Sequence, residues 1–174
     1  PGAAICVEVS GQYAYLGTEN ALLIFDVSQP QEPILLYQEY TCDPVADIAV
    51  SGDYAYALCL DLLVYDISNP RDPVKVNQLT GATSTSSHAY YEAQKLEIVD
   101  NYLYLVGDNF ENDYTTGLCI FDLSNPRKPQ QIGNFHRANH EEGYKARDVC
   151  IVGNKAYVAF GPVGGSGGWA LWIV

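Results

Sequence analysis

The chain has 174 residues, with 21 Asp and Glu against nine Lys and Arg, and a formal net charge of −12. That balance argues against nucleic acid as a partner, since phosphate binding needs a basic stripe, and against docking on anionic lipid. Fourteen Tyr, nine Pro, no Met and no apolar run near the ~18 residues of a helical membrane span describe a chain rich in strand formers.

Taken from the N-terminus, the first element is Val9-Ser10-Gly11-Gln12-Tyr13-Ala14-Tyr15. Two turn-forming residues between alternating apolar positions predict a tight hairpin between a strand A and a strand B. Next comes an apolar run, Leu22–Phe25, read as strand C, closed by Asp26-Val27-Ser28-Gln29-Pro30 and then Pro33. Proline fixes φ and removes a donor, so pairing stops there before a short strand D.

The same order returns three more times. Val50–Tyr56 repeats the hairpin, and Asp66-Ile67-Ser68-Asn69-Pro70 with Pro73 repeats the turn. Ile98–Tyr104 and Asp122-Leu123-Ser124-Asn125-Pro126 with Pro129 form the third copy, with Val99-Asp100-Asn101 in place of Ser-Gly. Ile151–Tyr157 opens the fourth, with Lys155 where Tyr is expected. Units of this size and composition predict four-stranded antiparallel propeller blades. The expected fold is therefore an all-β propeller of about four blades, near 1–41, 42–80, 93–135 and 145–174, the last incomplete. The chain opens directly before a strand A and stops within a strand C. This gives the expectation of a segment from a longer propeller, its ring completed by further blades or by a second copy.

These repeats resemble the LVIVD-repeat family of β-propellers, whose blades carry V-S-G-x-Y-A-Y followed by L-x-[IV]-[VF]-D-[VI]-S-[ND]-P-x-x-P. The resemblance implies blades around a channel, in cell-surface or secreted microbial proteins, and implies no single activity.

Loop lengths point to one face. The A–B and C–D turns are uniform, whereas the interval from motif Asp to the next strand A varies: 21 residues for Asp26 to Asp47, 29 for Asp66 to Lys95, 26 for Asp122 to Asp148. The B–C loop also lengthens, from Thr18–Asn20 to Asp108–Gly117 and Gly161–Gly168. All this length falls on one rim, and loops on a rigid scaffold are where binding groups gather. The rim offers His88, Tyr90, Tyr91, Asp108, Asn109, Glu111, Asp113, Tyr114, Arg137 and Tyr144 as candidate ligand- or partner-binding residues.

Two loops raise metals. His136, His140 and Glu141 could supply nitrogen and oxygen ligands to zinc if the loop takes a helical turn. The Asp108–Asp113 loop clusters oxygen ligands suited to calcium, without EF-hand spacing; Asx turns explain the same residues with no ion. No cofactor is expected. The repeated inner-strand acids Asp47 and Asp148 are expected to bond a neighbouring blade's backbone, and Asp26, Asp66 and Asp122 to form turns. Cys6, Cys59, Cys119 and Cys150 are expected as buried strand thiols, with Cys42 in a connection.

No nucleophile elbow, P-loop or dinucleotide fingerprint is present. The expected function is a non-enzymatic recognition or scaffold domain. It would present its B–C and D–A loops to a protein, peptide or carbohydrate. The alternative is a hydrolase- or lyase-like enzyme, or a metal-dependent site, at the channel mouth on the same face.

Overall fold

The structure, a computed structural model, describes residues 2–79, 94–108, 116–136, 144–162 and 170–174. Fifteen strands make up the elements among them. The first sheet holds β1 (Ala4–Ser10), β2 (Tyr13–Thr18), β3 (Ala21–Asp26) and β4 (Ile34–Tyr40). The second holds β5 (Asp47–Ser51), β6 (Tyr54–Leu58), β7 (Leu62–Asp66) and β8 (Val74–Leu79). The third holds β9 (Lys95–Val99), β10 (Tyr102–Asp108), β11 (Thr116–Asp122) and β12 (Gln130–His136), and the fourth β13 (Tyr144–Val152), β14 (Lys155–Pro162) and β15 (Ala170–Ile173). Each is an antiparallel meander in chain order. This is a β-propeller of four blades, the last with three strands.

The hairpins fold as the sequence predicts. Ser10 pairs with Tyr13, Ser51 with Tyr54, Val99 with Tyr102 and Val152 with Lys155, leaving two-residue loops. Gly11, Gly52 and Gly153 take positive φ in those loops, and Asp100 takes φ 54° at the third. Aspartate tolerates the left-handed region better than most side chains, which is why it can replace glycine there.

The Ser-Asn-Pro turns also close on themselves. Asp26, Asp66 and Asp122 each accept the backbone N–H two residues on, from Ser28 (2.9 Å), Ser68 (3.2 Å) and Ser124 (2.6 Å). The turn is then tied to the hairpin of its own blade. Val27 N–H donates to Gln12 C=O, Ile67 to Asp53 and Leu123 to Asn101, each at 2.8 Å. A–B hairpins and C–D turns therefore share one face.

Strand D carries a bulge in all three complete blades. Ile24/Phe25, Val64/Tyr65 and Ile120/Phe121 each mark a register shift, which leaves Leu36, Val76 and Ile132 as the extra residues. A bulge bends the outer strand and increases twist.

Cores lie between blades. Tyr15, Leu22 and Ile24 of blade one pack on Ile48, Ala57 and Tyr65 of blade two. Tyr56, Leu62 and Val64 meet Leu96, Leu105 and Phe121. Val106 and Leu118 meet Val149, Val158 and Phe160, with Trp172 against Phe160 at a ring separation of 4.3 Å. The inner strands β1, β5, β9 and β13 follow one another around the axis.

Of the four cysteines expected as buried strand thiols, Cys6, Cys59 and Cys150 differ from expectation. Cys59 lies in the β6–β7 connection, half-buried, and Cys150 is exposed because its side of β13 faces away from blade three. Cys119 is buried, Cys6 is half-buried and Cys42 is exposed. Burial raises the Cys6 thiol to about 11 and Cys59 to about 12, which leaves both protonated and unreactive at neutral pH.

Candidate functional site

The inner strands place one polar stripe per blade along the axis. Aligned by their hairpins, Cys6, Asp47, Lys95 and Asp148 occupy one position, and Glu8, Ala49, Glu97 and Cys150 the next on the same side. A cavity of about 380 Å³ opens between them, with Glu8, Lys95, Glu97 and Cys150 in its wall.

This stripe reaches forward, from each blade to its successor. Cys6 donates its S–H to Val45 C=O at 3.4 Å. Asp47 is buried and accepts the Leu96 N–H at 2.7 Å. Its carboxylate also pairs with Lys95 Nζ at 3.2 Å. Glu97 accepts the Ile151 N–H at 3.3 Å. Asp47 thus bonds the neighbouring blade's backbone as expected, whereas Asp148 departs from that expectation and accepts the N–H of Val149 in its own strand at 3.0 Å.

Charges in the channel are coupled. Burial works against the Lys95 ammonium, but Asp47, and behind it Asp148 and Glu8, outweigh that penalty and raise its pKa. Burial raises the Glu8 carboxyl as well, with Asp47 adding to the effect and Lys95 opposing it. Chemically, a protonated lysine held by a carboxylate is no nucleophile, and Asp47 and Glu97 already accept hydrogen bonds from backbone N–H groups. These groups work as ties between blades.

Sequence reasoning singled out Asp47 and Asp148 and missed Glu8 and Glu97. The available signal was their shared position, two residues before Ser10 and Val99, the last strand residues of the hairpins.

Of the rim candidates, the backbone register places three. Asp108 pairs with Thr116, and His136 with Gly117, so Asp108 and His136 flank the start of β11 from its two sides. Tyr144 pairs with Pro162 at the same end of blade four. All three sit at the rim opposite the hairpins. His88, Tyr90, Tyr91, Asn109, Glu111, Asp113, Tyr114, Arg137, His140 and Glu141 lie outside the described residues. Among the described residues no cluster of His, Cys, Asp and Glu has a metal-binding arrangement.

Comparison with known proteins settles the family. A family model described as LVIVD repeat matches residues 1–41, 44–80, 92–136 and 143–163. The chain belongs to the LVIVD-repeat family. No curated protein matches this LVIVD-repeat chain by sequence.

Solved structures share its fold. One is an S. cerevisiae complex of a Dbp5 variant bound to Nup159, a Gle1 variant, IP6 and ADP, at 17% identity and TM-score 0.63, covering 99% of this chain and 44% of that one. The N-terminal domain of Nup159 matches at 16% identity and TM-score 0.61, again over 99% and 44%. A europium-containing methanol dehydrogenase matches at 12% identity and TM-score 0.54, over 81% and 26%. At these identities the likeness concerns the fold alone. The LVIVD-repeat chain spans less than half the length of each of these solved chains.

Proposed function

We propose that this propeller is a non-enzymatic recognition scaffold of a surface or secreted microbial protein. It presents its B–C and D–A loops to a protein partner. The observation that carries this reading is the bonding of the opposite face. There the hairpins and Ser-Asn-Pro turns are tied together by the same bond in blades one, two and three. In those three blades the face is uniform and each turn is bonded to its hairpin, and the variation in loop length read from the sequence falls on the other rim. Asp47, Glu97 and Lys95 are engaged between blades, which favours a binder over an enzyme needing free, convergent groups in a pocket. A solved complex of similar fold, in which Dbp5 is bound to Nup159, is consistent with a protein ligand.

The test is to shorten residues 109–115 to the length of the Thr18–Asn20 connection, and separately to shorten 81–92. Each variant and the parent chain are then probed on a peptide array and a glycan array. The expected result is peptide binding by the parent, lost in a shortened variant that keeps the parent Tm. Binding retained by both variants, or confined to glycans, would overturn the reading.

A further inference from the structure

The cavity among the inner strands holds groups that the ties between blades leave unused. It has a volume of about 380 Å³, and Glu8, Ala49, Val50, Lys95, Glu97 and Ile98 all stand in its wall. At this level one tie is made and two are missing. Glu97 of blade three accepts the Ile151 N–H of blade four at 3.3 Å. Val50 and Ile98 are the equivalents of Ile151 in blades two and three, each one residue before the closing pair of its hairpin. Bonding alternates along an antiparallel strand, so all three N–H groups turn out from the free edge of the inner strand, toward the axis. Leu96, two residues from Ile98, turns the same way, and its N–H meets Asp47 of blade two.

The residue placed to take the Ile98 N–H is Ala49, which has no acceptor. The residue placed to take the Val50 N–H is Glu8, which accepts no hydrogen bond among the described residues. The Val50 and Ile98 N–H groups have no partner among the described residues either. Burial and Asp47 raise the Glu8 carboxyl, so its charged form gains from any donor brought to it. The Lys95 side chain is 44% exposed, and its ammonium has three N–H donors for the two oxygens of Asp47, so one is left over. The wall therefore offers an unused carboxylate on blade one and unused donors on blade three. A simple anion would be repelled by Glu8 and Glu97, and a simple cation would leave the donors unmet. A ligand carrying both charges satisfies both sets.

We infer that this cavity binds a small zwitterion of the amino-acid type, with its ammonium on Glu8 and its carboxylate on Lys95 and the Ile98 N–H. The volume lies in the range of small-molecule sites. Glu8, Val50, Lys95 and Ile98 all belong to the joints between blades one, two and three, so the site does not depend on what flanks the four blades. It is also independent of what the rim binds.

Isothermal titration calorimetry of the 174-residue chain tests it, with glycine, alanine, serine and lysine as probes, and ethylamine and propionate as the two halves of alanine. At least one amino acid is expected to bind at millimolar concentration, and both halves to bind more weakly. Glu8→Gln removes the ammonium's partner and should weaken binding by about tenfold or more, with the parent Tm kept. Ala49→Gln places an acceptor where blade three carries Glu97, so it should take the Ile98 N–H, abolish binding and keep or raise Tm. No heat from any amino acid overturns the inference. So does either half binding as tightly as alanine, or Glu8→Gln binding as the parent does.

Discussion

Asp47 is the group on which the second and third blades are registered, and removing its carboxylate gives a measurable loss. In Asp47→Ala, Leu96 loses a charge-assisted hydrogen bond of 2.7 Å in a buried setting. Such a bond contributes about 1.5–3 kcal/mol, and an orphaned buried N–H costs in the same range. The ion pair with Lys95 adds little, because the lysine is 44% exposed and solvent screens it; about 0–1 kcal/mol covers that part. The channel adjoins the site, so a water entering from it offsets some of the orphaned donor. The net expectation is a loss of about 2 kcal/mol, or roughly 4–8 °C in Tm for a domain of this size. Asp47→Asn keeps a neutral acceptor for Leu96 and should lose about half as much. Lys95→Ala should cost under about 1 kcal/mol. Urea unfolding followed by circular dichroism measures all three. If Lys95→Ala costs as much as Asp47→Ala, or if Asn is as damaging as Ala, the ion pair rather than the backbone bond holds the joint, and the reasoning fails.

Two further outcomes follow from the turns. Gly52 has φ +56°, and no atom lies within 4 Å of the place an added methyl would take, so Gly52→Ala is strained only in its backbone and should cost about 1 kcal/mol, whereas Asp100→Gly at φ 54° should be neutral or slightly stabilising; equal shifts of one sign in thermal melts would refute this. The Ser28, Ser68 and Ser124 hydroxyls, and then their backbone N–H groups, hold the carboxyls of Asp26, Asp66 and Asp122 below their ordinary value. A carboxyl lowered in the folded state contributes stability that is present above its unfolded pKa and lost as pH falls through the folded one. The parent should thus lose more Tm between pH 5 and pH 3 than a variant with Asn at all three positions, and parallel curves would count against the turn bonds.

How much of this was legible in the sequence varies with the range of the interaction. Hairpins and Ser-Asn-Pro turns are local, specified by two to five consecutive residues, and both formed where the motifs stand. Asp47 was legible as a tie because its counterpart Asp148 repeats it. Glu97, which accepts the Ile151 N–H, is repeated by Glu8 in the same way, but in blades one and three rather than two and four, and that signal was missed. The strand-D bulges at Leu36, Val76 and Ile132 left no mark, since one extra residue in a short apolar strand changes no composition. The exposure of Cys150 was invisible for a related reason: an alternating strand reads the same whether or not a neighbour covers its second face. The rim loops are legible in length and residue type, with no periodicity from which to derive side-chain geometry.

The inner-strand positions also explain why these blades are not interchangeable. In a repeat array stability is close to a sum of unit and nearest-neighbour terms. The apolar part of each joint is nearly the same here, a leucine face against an Ile, Leu or Val. The polar part differs at every joint: a thiol to a carbonyl, a carboxylate to an N–H with a lysine beside it, a glutamate to an N–H. At this position the series Asp47, Lys95, Asp148 alternates in sign; Lys95 is paired with Asp47, and the more distant Asp148 also favours its charged form. Where acids of adjacent blades do approach, as Glu8 does Asp47, the repulsion adds to burial in raising the Glu8 carboxyl.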